Sequence, residues 1–232
     1  MVTTKIDLKS ALGPTLAEVA KLEPDGGWEQ RDAEVQKLID AKRREDALEN
    51  WKATKARLLD RGLAERHLEV LFKGDVKQTP ALDAINAFGG DGICIISGNV
   101  GCGKTLAAHS WLLDAANVEP RDWSARGIRM VTAAWFARTS RYANREEDKF
   151  NALTEPRRLV VDDLGVEFND EKGSFRVDVD ELLDLRWRAK LPTVITTNLA
   201  SEEFKERYGL RLYDRARGQG TWQNVKHESL RG

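Results

Sequence analysis

The pattern of apolar and polar positions changes character along the chain near residue 76. Residues 28–73 contain no proline and carry dense charge of both signs, while apolar residues recur at roughly helical spacing. This pattern predicts long, charged helices with a narrow apolar stripe. Residues 1–27 contain two clusters of glycine and proline, which predict a loosely held arm with a short helix.

From about residue 76 the chain alternates short apolar runs with helical stretches. The runs predict five β-strands, of which the last is the weakest, at 93–97, 128–133, 158–163, 193–198 and 221–225. Helices between consecutive apolar strands are typical of a mainly parallel sheet that is covered on both faces. The sequence therefore predicts an α/β domain over 76–232, preceded by a helical N-terminal region over 1–75.

Composition is typical of a soluble globular protein, with 41% hydrophobic and 32% charged residues. No apolar run approaches the roughly 18–20 residues that a membrane span needs, and the N-terminus lacks a signal-peptide pattern. Cys94 and Cys102 do not have the spacing of metal ligands or of a disulfide framework, so we expect a protein of the reducing cytoplasm. The net charge of −1 gives no overall attraction to nucleic acid, so any DNA contact must come from a local patch.

A complete phosphate-loop motif follows the first strand of the α/β domain. The pattern G-x-x-x-x-G-K-[ST] is matched by Gly98, Asn99, Val100, Gly101, Cys102, Gly103, Lys104 and Thr105. Its glycines let backbone N–H groups turn toward a phosphate chain, and the following helix adds about half a positive charge at its N-terminus. Lys104 would reach the β- and γ-phosphates, and Thr105 would ligate Mg²⁺. The motif therefore predicts ATP and Mg²⁺ as ligands.

Two carboxylates end the third predicted strand. Asp162 and Asp163 follow the apolar residues of "RLVV", where an acidic pair is costly to desolvate without a cation or hydrogen-bond partners. We expect Asp162 to hold Mg²⁺ through water and Asp163 to polarise the attacking water. The alternative for such a pair is an ordinary turn at the end of a strand.

Polar residues also end the fourth predicted strand, "PTVITTNL". Asn198 is the candidate for orienting the water or sensing the γ-phosphate, and Thr197 is the lesser candidate. The alternative is a helix N-cap, for which asparagine is well suited. Further along, residues 207–218 form an arginine-rich helical segment. Such a run is usually a solvated basic face, but one arginine could instead reach the γ-phosphate of a neighbouring subunit.

The order of these motifs resembles the AAA+ ATPases of the DnaC helicase-loader and IstB group. The resemblance covers about residues 76–232, and its most specific part runs from the Asn198 strand through "RLYDR" to the terminal "ESLR". It implies that Arg215 is an arginine finger acting in trans and that Arg211 assists it. It also places Arg231 near the nucleotide. The loaders commonly have Asp-Glu where this chain has Asp-Asp, and the shorter Asp163 would slow hydrolysis.

The resemblance also implies a site for single-stranded DNA. The related initiator branch carries a helical insertion after its second strand, and residues 135–150 occupy that place here. The candidate DNA contacts are Arg138, Arg141, Tyr142 and Arg145, because cations and aromatic rings are what single-strand binding requires. The alternative is an amphipathic helix that buries Trp135 and Phe136 in the core.

In DnaC-type loaders the N-terminal extension grips the replicative helicase, so residues 1–75 are expected to bind a helicase hexamer. The alternative is an extension that packs back on the ATPase domain. The leading functional prediction is therefore an ATP-dependent helicase loader that self-associates on ATP and DNA. An IstB-like ATPase acting on a transposase and a non-catalytic ATP-bound adaptor are the alternatives. A small-molecule kinase and an origin-binding initiator fit the sequence less well.

Overall fold

A computed structural model describes residues 29–74, 76–118, 127–139, 147–167, 174–218 and 221–226. Several predicted site residues lie outside these ranges, namely Arg141, Tyr142, Arg145 and Arg231. The chain divides into two compact units, Met1–Asp60 and Arg61–Gly232. The division therefore falls before residue 61, whereas the sequence analysis places it after residue 75. Residues 61–73 belong to the second unit, where the Met130 N–H donates to the Arg61 carbonyl at 2.8 Å.

The described elements alternate helices and strands through the second unit. In chain order they are α1 (Glu29–Asp60), α2 (Glu65–Lys73), α3 (Pro80–Ala87), β1 (Ile93–Gly98), α4 (Lys104–Val118), β2 (Ile128–Thr132), α5 (Ala133–Thr139), α6 (Glu147–Thr154), β3 (Arg158–Leu164), α7 (Ser174–Arg188), β4 (Thr193–Thr197), α8 (Ser201–Tyr208), α9 (Leu210–Gly218) and β5 (Thr221–Val225).

The first unit is described as one helix of 32 residues, α1. Its exposed surface carries ion pairs one turn apart, such as Lys42 with Glu45 and Asp46, both at 3.1 Å. Exposed pairs of this spacing are screened by water and salt, so they support α1 without supplying much free energy. The long charged helix that the sequence predicts is thus present. None of the helices described is long and apolar enough to cross a membrane.

The second unit contains a five-stranded sheet with the order β2-β3-β4-β1-β5, and every neighbouring pair is parallel. All five strands lie where the sequence predicts them, including β5, which pairs with β1 at one edge. The central strands are continuous apolar runs because helices cover both faces of a parallel sheet. Ile95, Val161 and Ile195, for example, are each at most 3% exposed. The predicted α/β fold class is confirmed.

The parallel arrangement places all the carboxyl ends of the strands at one edge of the sheet. The phosphate loop follows β1, the acidic pair lies near the end of β3, and Asn198 follows β4. Since β1 and β3 are the two neighbours of β4, these three features converge. Open α/β sheets bind their ligands at this edge.

Candidate nucleotide site

Lys104 lies at the centre of the site. Its side chain is buried, and its ammonium donates to the carbonyls of Gly98 (2.7 Å) and Asn99 (2.9 Å) and to Asn198 Oδ1 (2.8 Å). An ammonium has three N–H donors, and these neutral oxygens are three acceptors. A phosphate reaching Lys104 would therefore replace one of them. Asn198, the exposed side chain among these partners, is the one that can move most easily.

The backbone of the loop turns sharply before α4 begins at Lys104. Gly101 and Gly103 have φ angles of 85° and 91°, which side-chain-bearing residues rarely adopt. Both glycines are therefore needed for the turn. Helix α4 is 15 residues long, and its unpaired N-terminal N–H groups and dipole favour an anion at this point.

An open cleft of about 740 Å³ lies beside the loop, within the usual range of about 300–1,000 Å³ for ligand pockets. It is lined by the start of the loop, by Asn198 and by Asn224 and Lys226, which lie at the end of β5 and just after it. Lys226 is exposed and adds a cation that the sequence analysis did not single out.

Thr105 and Asp162 meet across the gap between α4 and β3. The Thr105 hydroxyl donates to Asp162 Oδ1 at 3.1 Å, although the two residues are 57 positions apart in sequence. A hydroxyl and a carboxylate are hard oxygen donors of the kind that Mg²⁺ prefers. The residues predicted to hold the metal are thus adjacent, and their chemistry fits Mg²⁺.

Burial raises the pKa of Asp162 to about 6. Hydrogen bonds from Thr196 and Thr105 and the charge of Lys104 act in the opposite direction, whereas the neighbouring Asp163 raises the pKa further. Such a shift is what a carboxylate shows when it is desolvated. A divalent cation here would favour its ionised form.

The acidic pair sits on an irregularity of the sheet. The register of β3 on β4 pairs Val161 with Ile195 and then Leu164 with Thr197, so two residues of β3 oppose one of β4. This is the pattern of a β-bulge, which re-aims side chains and is common beside active sites. Asp163 has a φ of 57°, and its N–H donates to the Thr196 hydroxyl at 2.9 Å. The same hydroxyl donates to Asp162 Oδ1 at 2.6 Å.

Thr197, the lesser candidate at the end of β4, has a structural role in this arrangement. Its buried hydroxyl donates to the Leu164 carbonyl at 2.6 Å and accepts the Leu199 N–H at 3.1 Å. Asn198, in contrast, contacts Lys104 directly. The structure therefore brings together Lys104, Thr105, Asp162, Asp163 and Asn198. Thr197 instead forms hydrogen bonds with the backbone.

The segment after the acidic pair is held by a buried carboxylate that sequence reasoning missed. The Glu167 side chain is fully buried; it accepts the Gly165 N–H at 2.7 Å and Arg207 Nη2 at 2.9 Å, and it also accepts the Tyr208 hydroxyl. Burial and this carboxylate raise the pKa of Tyr208, so its hydroxyl remains a donor. Glu167 thereby fixes the chain after β3 to α8.

His109 was also missed, because a lone histidine on a helix gives no signal in the sequence. Its Nδ1 lies 2.7 Å from the Thr105 carbonyl and its Nε2 accepts the Ala64 N–H at 2.9 Å. These partners require a proton on Nδ1 and none on Nε2. Burial lowers the pKa of His109 to about 4, which keeps the ring neutral. The His109 ring thus links Ala64, just before α2, to Thr105 in the first turn of α4.

The two arginines predicted on α9 differ in their surroundings. Arg215 is only 16% exposed in its side chain and pairs with Asp180 Oδ1 at 2.9 Å and Asp184 Oδ1 at 2.5 Å. Arg211 is 66% exposed and has a longer contact of 3.5 Å to Asp180. Neither arginine contacts the phosphate loop of its own chain in these interactions. In this conformation Arg211 is accessible, and Arg215 is held by carboxylates of α7.

The predicted DNA-binding segment is described only in part. Arg138 is exposed near the end of α5, whereas Phe136 is fully buried in the core and Trp135 is partly buried against it. Phe136 therefore takes the core position that the amphipathic-helix alternative expects. DNA contact by Arg138 remains a prediction.

We predict that Lys104→Ala weakens ATP binding at least about 100-fold, equivalent to about 2.7 kcal/mol, because the variant removes the ammonium that would pair with the phosphates. Titration with a fluorescent ATP analogue would measure this change. Lys77→Ala removes the same side chain at an exposed position and should bind as the wild type does. Equal affinity in the wild type and in Lys104→Ala would show that the nucleotide does not bind at this loop.

Comparison with known proteins finds similar solved structures. No protein-family model matches the chain, and no curated protein matches it in sequence. The chain is similar to the crystal structure of the DnaC helicase loader, with a TM-score of 0.55 and 18% identity over 70% of this chain and 100% of that one. It is also similar to the crystal structure of a DNA replication initiation factor, with a TM-score of 0.51 and 16% identity over 64% of this chain and 44% of that one.

A third similar structure is the replication initiator DnaA bound to AMPPCP and single-stranded DNA. The TM-score is 0.50 and the identity 16%, over 64% of this chain and 45% of that one. The chain thus spans less than half the length of these last two proteins. At these identities the similarity establishes the fold, and it confirms the fold that the motifs predict.

Proposed function

We propose that this chain, which has the DnaC/DnaA-type AAA+ ATPase fold, is a cytoplasmic Mg²⁺-dependent ATPase that loads a replicative helicase hexamer onto single-stranded DNA. The observation that carries the ATPase part is the contact of Lys104 with Asn198, beside the Thr105–Asp162 pair. These two contacts join residues from the start of α4, from β3 and from the position just after β4. The loader part rests on the similarity to the DnaC helicase loader, which extends over the whole of that chain.

Each residue of the site has a proposed role. Thr105 and Asp162 would hold Mg²⁺, which supplies charge neutralisation along the phosphates. Lys104 would bind the β- and γ-phosphates, and Asn198, released from Lys104, would sense the γ-phosphate or orient the water. Asp163 would polarise that water. Its carboxylate is one methylene shorter than the glutamate common in loaders, so we expect slow turnover.

Helix α9 would complete the site of a neighbouring subunit. We propose Arg215 as the arginine finger and Arg211 as its helper, in an assembly formed on ATP and DNA. Because Arg215 pairs with Asp180 and Asp184, it would first have to leave these carboxylates. Hydrolysis would then depend on a rearrangement between α7 and α9 that assembly induces. Arg231, outside the described residues, is proposed to lie near the nucleotide.

The client and the DNA would use other parts of the chain. Residues 1–75 are proposed to bind the helicase, and Met1–Asp60 is a separate compact unit. Single-stranded DNA is proposed to contact Arg138, Arg141, Tyr142 and Arg145. DnaA, one of the similar proteins, is bound to single-stranded DNA in its structure.

Capture of partners from a host lysate tests the loader role. We expect the tagged full chain, with ATP and Mg²⁺ and after nuclease treatment, to retain the replicative helicase. A variant lacking residues 1–60 should lose it, since the second unit begins at Arg61 and is left whole. The purified pair should then unwind a circular single-stranded substrate carrying an annealed oligonucleotide. Recovery of a transposase would replace the loader role with an IstB-like one, and recovery of no helicase would overturn it.

A further inference from the structure

We propose that Thr196 is a positioning residue that sets the geometry of both carboxylates of the site. The inference rests on the proposed function, because it concerns the residues that would hold Mg²⁺ and polarise the water. It adds a residue that the motif leaves out. Thr196 directly precedes Thr197 and Asn198, the two candidates that the sequence analysis names. Nothing in the sequence indicates that Thr196 has a role in the site.

The Thr196 hydroxyl forms two hydrogen bonds in opposite directions. It donates to Asp162 Oδ1 at 2.6 Å and accepts the Asp163 N–H at 2.9 Å. The residue is fully buried, so no water competes for either partner. A hydroxyl can donate and accept at once, which neither an aliphatic side chain nor an ammonium can do. Serine or threonine can form this pair of bonds through a single hydroxyl oxygen.

The bulge explains why the acidic pair needs such a partner. Asp162 and Asp163 together oppose the single residue Thr196, so the ladder cannot pair both of their backbone groups. The Asp163 N–H bonds instead to the Thr196 side chain. Asp163 also has a φ of 57°, a conformation that residues other than glycine rarely adopt. Thr196 stabilises this conformation at the point where it occurs.

The two bonds have different consequences for the site. The bond to Asp162 Oδ1 shares that oxygen with the Thr105 hydroxyl, which lies 3.1 Å from it, so Thr196 and Thr105 fix the carboxylate from two sides. The bond from the Asp163 N–H sets the backbone from which the second carboxylate projects. Loss of the hydroxyl should therefore affect both Mg²⁺ binding and the chemical step, without removing a hydrogen bond of Lys104.

Three variants test the inference. Thr196→Val keeps the shape of the side chain but removes the hydroxyl, and Thr196→Ser keeps the hydroxyl. Thr193→Val is the matched control: Thr193 is equally buried in β4, but its hydroxyl accepts from Arg186 Nε at 2.8 Å, at the far end of the strand. For each variant we would measure kcat, KM for ATP, the Mg²⁺ concentration for half-maximal activity, and the thermal unfolding midpoint.

We expect Thr196→Val to lower kcat and to raise the half-maximal Mg²⁺ concentration, by a combined factor of about 10–100, as loss of a positioning partner typically does. ATP binding without Mg²⁺ should be unchanged, because Lys104 keeps its contacts. Thr196→Ser should restore most of both quantities, and Thr193→Val should change only the unfolding midpoint. Wild-type kcat and Mg²⁺ dependence in Thr196→Val would overturn the inference. The inference would also be overturned if all three variants lost activity in proportion to the decrease in their unfolding midpoints.

Failure of the proposed ATPase function would give a different experimental result from failure of the inference about Thr196. If the wild type hydrolyses no ATP alone or with DNA and its client, the ATPase assignment fails. In that case Mg²⁺-dependent binding of a fluorescent ATP analogue replaces turnover as the readout. A shift in Mg²⁺ dependence in Thr196→Val, restored in Thr196→Ser, would still support the positioning role, and the absence of any shift would overturn it.

Discussion

Arg215→Ala is expected to lower DNA-stimulated ATP hydrolysis by about a thousandfold while leaving ATP binding nearly intact, because an arginine supplied in trans stabilises charge only in the transition state. Binding would be measured with a fluorescent ATP analogue, and hydrolysis by phosphate release with single-stranded DNA present. Mixing Arg215→Ala with Lys104→Ala should restore part of the activity, since each variant would contribute the element that the other lacks.

The pairing of Arg215 with α7 makes a sharper test possible. If Arg215 must leave Asp180 and Asp184 to act, Asp180→Asn together with Asp184→Asn should keep or raise turnover, because the asparagines hold the guanidinium less strongly. If Arg215 instead fixes α9 in place, the double variant should lose turnover as Arg215→Ala does. The finger role would then pass to Arg211, and Arg211→Ala should abolish hydrolysis without lowering the unfolding midpoint, since Arg211 is 66% exposed.

Arg186→Met is expected to lower the free energy of unfolding by at least about 3 kcal/mol, the largest effect on stability that we predict. Arg186 is fully buried, and its guanidinium donates to the carbonyls of Leu153 (3.0 Å), Pro156 (2.8 Å) and Pro192 (3.0 Å). Burial lowers its pKa to about 9, so it remains protonated at neutral pH. Methionine fills much of the same space but leaves these carbonyls buried without their donors.

Urea unfolding followed by tryptophan fluorescence would measure this effect. Arg188→Met is the matched control, since Arg188 lies two residues later on α7, is 67% exposed and pairs only with Asp184 in the contacts described (2.7 Å). The Arg188 side of this pair is exposed to water, and pairs with an exposed partner typically contribute about 0–1 kcal/mol. Arg186→Lys should fall between the two, because lysine keeps the charge but lacks the planar fork of five donors. Equal stability of Arg186→Met and Arg188→Met would contradict the prediction.

Much of the site could be predicted because its chemistry is local in sequence. The phosphate loop comprises eight adjacent residues, and the roles proposed for its glycines, Lys104 and Thr105 follow from residue type and spacing alone. The strands could be predicted because helices bury both faces of a parallel sheet, which makes each strand a short apolar run. The acidic pair and Asn198 then follow from the convergence of parallel strands at one edge.

Other features depend on contacts between residues that are far apart in the chain. Arg215 meets Asp180 and Asp184 from a different helix, 35 and 31 positions away, and no pattern in "RLYDR" indicates that it is paired. His109 bonds the Ala64 N–H, 45 positions away. Phe136, within the segment predicted to contact DNA, lies in the core. Each of these outcomes depends on how neighbouring elements pack, which periodicity does not record.

The sequence by itself determined the fold class, the five strands and the candidate residues of the nucleotide site, because these depend on local periodicity and on a contiguous motif. Only the tertiary structure determined the backbone geometry that positions the carboxylates of Asp162 and Asp163. A shift of one residue in the pairing of β3 with β4 places Asp162 and Asp163 opposite Thr196, and gives Asp163 a positive φ. The same strands with a regular register would have the same apolar pattern. The geometry of the site therefore follows from strand register, which is set by packing across the whole sheet.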